Sequence, residues 1–417
     1  MLKKYFIIAL IAGIYNVGFS QCDPNDSTVM GPNYANDVFY SFANKTVATV
    51  SNTNWHLAFS VQNAQPPFNV LQSVSIRVNS VNGCKVKKLL SNANPNQWRQ
   101  IDTTGLYNLP ELIDSDTNWS NSAFTTGYAG NFDFKWGTYN QSTKHVDGTN
   151  VFVLYNPTAG WYKKVLIKQL TYDSTWNIII SNLDNTDSNY VKINKKNYTK
   201  RLFAYYNVTS NTVIDREPDN GTWDVLWTRY LSYVNVPQGS GYYPVTGILS
   251  NKSVTVAKNT GRTCNDIWLS DLKAPYKTNI STIGWDWKKS PPPSWIIVDT
   301  FVYFVSAKDG NKYELSFNGF TGASSGKTYF RATQATLSTK HINKSNQLIA
   351  YPNPLSENKI LTVNTSSNKA VIIDVLGKSN EVEISNNNID LSSFVSGIYT
   401  VIINEGLTNY NTKIIIE

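Results

Sequence analysis

Apolar residues along this chain alternate with polar ones over short runs, and long Ala/Leu/Glu/Lys segments of helical period are missing. Near the C-terminus, Val371, Ile373 and Val375 alternate with Ile372, Asp374 and Leu376, the period-two pattern of a strand in a small sandwich. Gly377 ends that run, as a turn residue free to take positive φ does. Residues 398–403 and 413–416 repeat the pattern across a polar Asn/Gly/Thr turn stretch. Upstream, Pro352 and Pro354 fix an extended lead-in that can join neither a helix nor a central strand. The pattern predicts a compact β-sandwich over the last seventy or so residues.

The body shows a second regularity. FYSFANKTVATVSNTNWHLAF (39–59) and FAYYNVTSNTVIDREPDNGTWDVLWTRY (203–230) each give an aromatic strand, a Thr-Val pair, a polar turn and a Trp-led apolar strand. NFDFKWG (131–137) then corresponds to GWDWKKS (284–290), and the strand pair at 151–172 to that at 300–321. Four segments in one order predict a duplication joined near Lys195–Lys200. Alternation places Trp55, Leu57 and Phe59 on one strand face, and Trp223, Val225 and Trp227 on another. These repeated aromatics read as core. The expected class is all-β: two strand-rich repeats, 21–198 and 199–340, followed by a small sandwich at 341–417.

Composition and charge narrow the possibilities. The leader MLKKYFIIALIAGIYNVGFS (1–20) has a positive start, a short apolar run and small residues before a cut between Ser20 and Gln21. A lipoprotein with Cys22 acylated is the weaker alternative, because Gln21 stands where a small residue is needed. No later segment predicts a transmembrane helix. Removing Lys3 and Lys4 takes the formal charge from +8 to +6, scattered without a basic stripe, which argues against nucleic acid. Cys22, Cys84 and Cys264 allow one disulfide in an oxidising exterior without selecting the pair, and their spacing predicts no zinc site.

The tail resembles the C-terminal sorting domain of the type IX secretion system of Bacteroidetes-type bacteria. The resemblance is carried by Tyr351-Pro352-Asn353-Pro354, VIIDVLGK (371–378), IDLSSFVSGIYTVII (389–403) with Gly397 and Tyr399, and KIIIE (413–417) beginning at Lys413. It implies export to the periplasm, recognition by the outer-membrane machinery, and a product secreted or held at the cell surface.

The body resembles the HmuY-like family in two diverged copies. The motifs are YSF…TV…NWHLAF, GTWDVLWTRY…YYPVTGILSN and FVYFVSAKDGNKYELSF. Several members capture haem through two axial His or Met side chains on loops. Here the loop after Trp285-Asp286-Trp287 runs Lys288-Lys289-Ser290-Pro291-Pro292-Pro293 and has neither residue type. Three histidines remain. His56 stands where the second copy has Asp224 and reads as an exposed or edge polar residue, with a ligand role as the alternative. His145, in QSTKHVDGTN, is the best placed as a ligand. His341 falls in the linker. Trp136, Trp285, Trp287 and Trp295 are candidates for stacking on a flat ligand, or for covering the end of a sandwich.

No residue set predicts catalysis, since three scattered histidines give no triad and Asp133 and Asp286 are repeat equivalents with a turn role. The expected function is an exported, non-enzymatic binding protein for haem or a related flat compound. An adhesive or carbohydrate-binding surface module is the alternative.

Overall fold

A computed structural model describes residues 22–64, 70–90, 95–236, 239–264, 273–289, 294–335, 348–356, 358–405 and 408–417. The leader, its cleavage point at Ser20 and Gln21, and His341 lie outside the described residues. Strands account for 49% of the chain and helix for 8%, so the class is all-β, with no closed barrel. Two compact units emerge, dividing at Thr336 and Leu337.

The large unit is built from antiparallel sheets around two main cores. One half runs from Leu57 to Ile214. Its largest sheet orders Asn189–Asn194, Thr175–Ser181, Trp161–Leu170, Val151–Asn156, Lys85–Leu90 and Glu111–Leu112. Val151–Asn156 is buried along its whole length, as a central strand covered on both faces must be. Phe59, Phe124, Phe152, Trp136 and Trp176 fill the core beneath it. The other half orders Asp26–Val29, Lys327–Gln334, Lys312–Phe320, Phe301–Ser306 and Thr255–Thr260, over a core with Tyr40, Trp227, Trp287, Tyr303 and Phe330.

The two halves trade hairpins. Asn36–Ser41 and Lys45–Ser51 add to Val225–Val236, whereas Phe203–Asn207 and Thr212–Ile214 add to Leu57–Ser60. Each hairpin therefore completes the sheet of the other half's Trp-led strand. The crossing segments are tied by buried polar bonds. Arg216 pairs with Asp37 at 2.7 Å, Thr228 Oγ1 donates to the same carboxylate at 2.6 Å, and Glu217 accepts from Tyr205 and from the Leu202 and Phe203 amides. Such groups are tolerated out of water only when paired in this way.

Trp55 and Trp223 leave their expected faces. Leu57 and Phe59 point into one core, and Val225 and Trp227 into the other. The two tryptophans pack instead with Phe39, Tyr205 and Leu226 in a layer between the two four-stranded sheets. The strands begin only at Leu57 and Val225, so alternation does not extend back to either tryptophan.

Cys22 is disulfide-bonded to Cys264 and Cys84 is a buried free thiol. The bridge leaves no Cys22 thiol for the acylation weighed above. It fixes the N-terminal segment ahead of Asp26–Val29, a strand paired with Lys327–Gln334.

The small unit is a sandwich of a three-stranded sheet (Ala350–Tyr351, Ile360–Val363, Asn388–Asp390) and a four-stranded one (Ser379–Glu383, Lys369–Asp374, Gly397–Glu405, Thr408–Ile416). Ala370, Ile372, Val401, Ile403, Ile414 and Ile416 meet Leu361, Val363 and Ile389 between them. The buried face is thus the one carrying Ile372, and the Lys369–Asp374 strand stops before Val375 and Leu376, which are 76% and 91% exposed. Gly377 follows at φ +85°, the left-handed turn its identity predicts.

Candidate functional site

A pocket of about 390 Å³ opens in the half spanning Leu57 to Ile214, within the roughly 300–1,000 Å³ typical of small-molecule sites. Val70, Val74, Phe132, Phe134, Tyr139 and Leu170 give it apolar walls. The hairpin Gly137–Asn140 and His145–Gly148 reaches it by lying across the end of Trp161–Leu170, where a bulge falls between Ile167 and Gln169. The approach requires glycine at 148, since a Cβ there would stand 1.9 Å from the Ile167 carbonyl oxygen. Around the mouth, Asn131, Phe132, Lys144 and Ser174 hold positive φ of 56°, 56°, 60° and 71°, strain of a kind that clusters at binding sites.

Lys195 also lines this pocket. The Asn194 side chain accepts the Lys196 amide at 2.9 Å and Lys195 N–H donates to the Ser174 carbonyl at 3.0 Å, so the chain turns inward after its strand. The Lys195 side chain is 4% exposed and its Nζ donates to the carbonyls of Gln62 and Ser73. Its Nζ lies 5.4 Å from the centroid of the buried Trp176 ring. No carboxylate among the described residues pairs with it, and burial pushes its pKa down to about 7. Nothing in the sequence distinguished this lysine from its neighbours in KKNYTK.

The four predicted ligand residues do not converge. His145 opens the hairpin strand between Lys144 and Val146 and is not itself a lining residue; its ring is parallel to that of Tyr172 with centroids 5.8 Å apart, and Tyr172 lines the pocket and is 75% exposed. His56 is buried rather than exposed. Its Nδ1 accepts the Val208 amide at 3.0 Å and burial holds its pKa near 4. Asp224 does the same work in the other half, accepting the Phe42 amide at 2.8 Å, so His56 is a structural acceptor that fastens a traded hairpin. Trp287 is a core residue stacked on Phe317 at 4.0 Å, and Lys288 Nζ sits 4.1 Å from its ring centroid. Trp285 is half-buried beside Tyr230, Leu249 and Ile280, donating to Ser232 at 3.3 Å. Trp136 is fully buried and donates to the Val74 carbonyl, while Trp295 is partly exposed against Phe320.

A smaller cavity of about 80 Å³ lies between the traded hairpins, but paired charges occupy its walls, Arg216 with Asp37 and Arg77 with Asp114. Among the described residues no group of three His, Cys, Asp or Glu side chains is placed to hold a metal ion.

In the small unit, the Tyr351–Pro354 motif lies against the final strand. The Asn353 amide donates to the Lys413 carbonyl at 2.9 Å and its carbonyl accepts the Ile415 amide at 2.9 Å, so one side chain imitates a strand neighbour. Leu355 continues the contact through hydrogen bonds with Ile415 and Glu417. Tyr351–Pro352 and Asn353–Pro354 are both cis. Gly397 starts the strand opposite Ile416, and Tyr399 is buried with its hydroxyl donating to the Val395 carbonyl at 3.0 Å. Residues 349–417 match the secretion system C-terminal sorting domain. The chain is therefore a type IX secretion substrate, secreted or displayed at the outer cell surface, and the secretion machinery is its partner. The sorting domain covers only the small unit. No HmuY-like family model matches the chain, and no curated protein matches it. No helix among the described residues is long and apolar enough to cross a membrane.

Proposed function

We propose that the exported body is a non-enzymatic binding protein that captures a small flat ligand, haem or a related compound, in the pocket lined by Lys195. The leader is cut before Gln21, the body folds in the periplasm, and the sorting domain then delivers it. One observation carries the reading: a pocket of about 390 Å³ lined in part by Phe132, Phe134, Tyr139 and Tyr172, the last with its ring parallel to that of His145. The HmuY-like resemblance of the body is consistent with ligand capture. For haem the fit is partial. His145 can offer one imidazole, whereas His56 is committed to the Val208 amide and no His or Met lines the pocket. The walls would then hold the ring by stacking and burial. Haem titration of the mature chain tests this directly: a shifted Soret band that His145→Ala diminishes is expected, and an unchanged spectrum with ferric and ferrous haem removes haem from the reading.

A surface-adhesion reading has its own support. The hairpin Val225–Val236 and Gly239–Ser250 carries exposed Tyr233, Tyr242 and Tyr243, with Tyr233 directly opposite Tyr242 and ring centroids 5.3 Å apart. Exposed aromatic faces are suited to stacking on sugar rings. A glycan array with the mature chain and with Tyr233→Ala/Tyr242→Ala separates the two functions, since haem capture does not depend on these tyrosines.

A further inference from the structure

We propose that the pocket takes a ligand with an apolar body and a terminal carboxylate, the carboxylate meeting Lys195 and the body lying along the walls. The inference rests on ligand capture in this pocket and is independent of haem.

An amine this deeply buried is costly to hold as an ion unless an anion reaches it. A protonated lysine has three donors. Two are taken by the Gln62 and Ser73 carbonyls, and the lysine itself lines the open pocket. None of the residues lining the pocket is Asp or Glu, and the other lining cation is Lys144, exposed at the mouth. Lys195 is thus the one buried cation of a lining that sets Val70, Val74, Phe134, Val146 and Leu170 beside the uncharged polar side chains of Asn63, Ser73, Thr171 and Ser174. A carboxylate would supply the missing charge-assisted bond, and an alkyl or aryl body would displace water from the walls. A neutral ester of the same shape gains only the second of these. The strained, non-glycine backbone around the mouth fits a site whose shape is held for a ligand.

The test uses the full mature chain with a conjugated polyene fatty acid, whose fluorescence rises on entering an apolar site, and with its methyl ester. The acid is expected to bind about ten-fold or more tightly than the ester, the scale of one charge-assisted hydrogen bond. Lys195→Met should bring the acid down to the ester's affinity and leave the ester within about two-fold, because the apolar walls are unchanged. Phe132→Ala, at the exposed rim, should weaken both probes together. Equal affinity of the wild-type chain for acid and ester overturns the inference without any variant, so a poorly folding Lys195→Met leaves it open to refutation. A preference for the acid that survives Lys195→Met overturns it as well. If neither probe binds while haem still gives a Soret shift, the carboxylate inference fails and the capture reading stands. If acid binds and haem does not, the carboxylate inference stands and haem alone is removed from the capture reading.

Discussion

His56 shows how a single side chain can be misjudged from its neighbours. Alternation along the strand suggested an edge position, yet the residue is buried and its Nδ1 receives a backbone donor that would otherwise be unpaired. Its folded pKa is near 4 against an ordinary 6.5. Between those values the unfolded chain binds a proton that the folded chain refuses, so stability falls as pH drops from about 6.5 to about 4 and the loss is complete below. Urea melts of the wild type and His56→Gln across that window should show the wild type's advantage shrinking with acid; a pH-independent difference would contradict the assignment. Asn353 offers a second test at this scale. Asn353→Ala removes two hydrogen bonds to the last strand, at a cost of about 1–2 kcal/mol, and the Ile415 amide should lose protection in hydrogen exchange.

Among elements, the pattern of alternation located strands well and chose their partners badly. The Thr-Val hairpins at 45–51 and 212–214 were legible from composition, because aromatic and β-branched residues around a polar turn have few other options. Their exchange between halves was not. An apolar face is satisfied equally by either half's Trp-led strand, and only the short crossing segments, with Arg216 and Asp37 bonded across them, settle which is used. The pocket was not legible along the chain: His145, named from the sequence, is not a lining residue, and Lys195 is recruited by a turn whose inward direction depends on Asn194 and Ser174. The N-terminal strand Asp26–Val29 belongs to the same scale. It closes the sheet of the C-terminal half and is fastened by Cys22–Cys264. Cys22→Ser/Cys264→Ser should cost about 2–5 kcal/mol in urea unfolding, and reductant should act on the wild type by the same amount and not on the variant. Cys84 contributes little to such a response, since burial pushes its thiol up to about 12.

For the whole molecule, the division into a large unit and a sorting domain predicts independent behaviour. Deleting 344–417 should leave the large unit folded and soluble in the periplasm, with the same near-ultraviolet circular dichroism as the large unit in the full chain. Delivery of the truncated protein to the surface at wild-type level would contradict the assignment of export to that domain.

The sequence by itself determined the class and the terminal address, because period-two alternation, prolines in the lead-in and a left-handed glycine act locally along the chain. Only the tertiary structure decided which hairpin completes which sheet, which cysteines pair, and which lysine faces a pocket. Those outcomes depend on distances between residues remote in the chain, and local alternation carries no information about them.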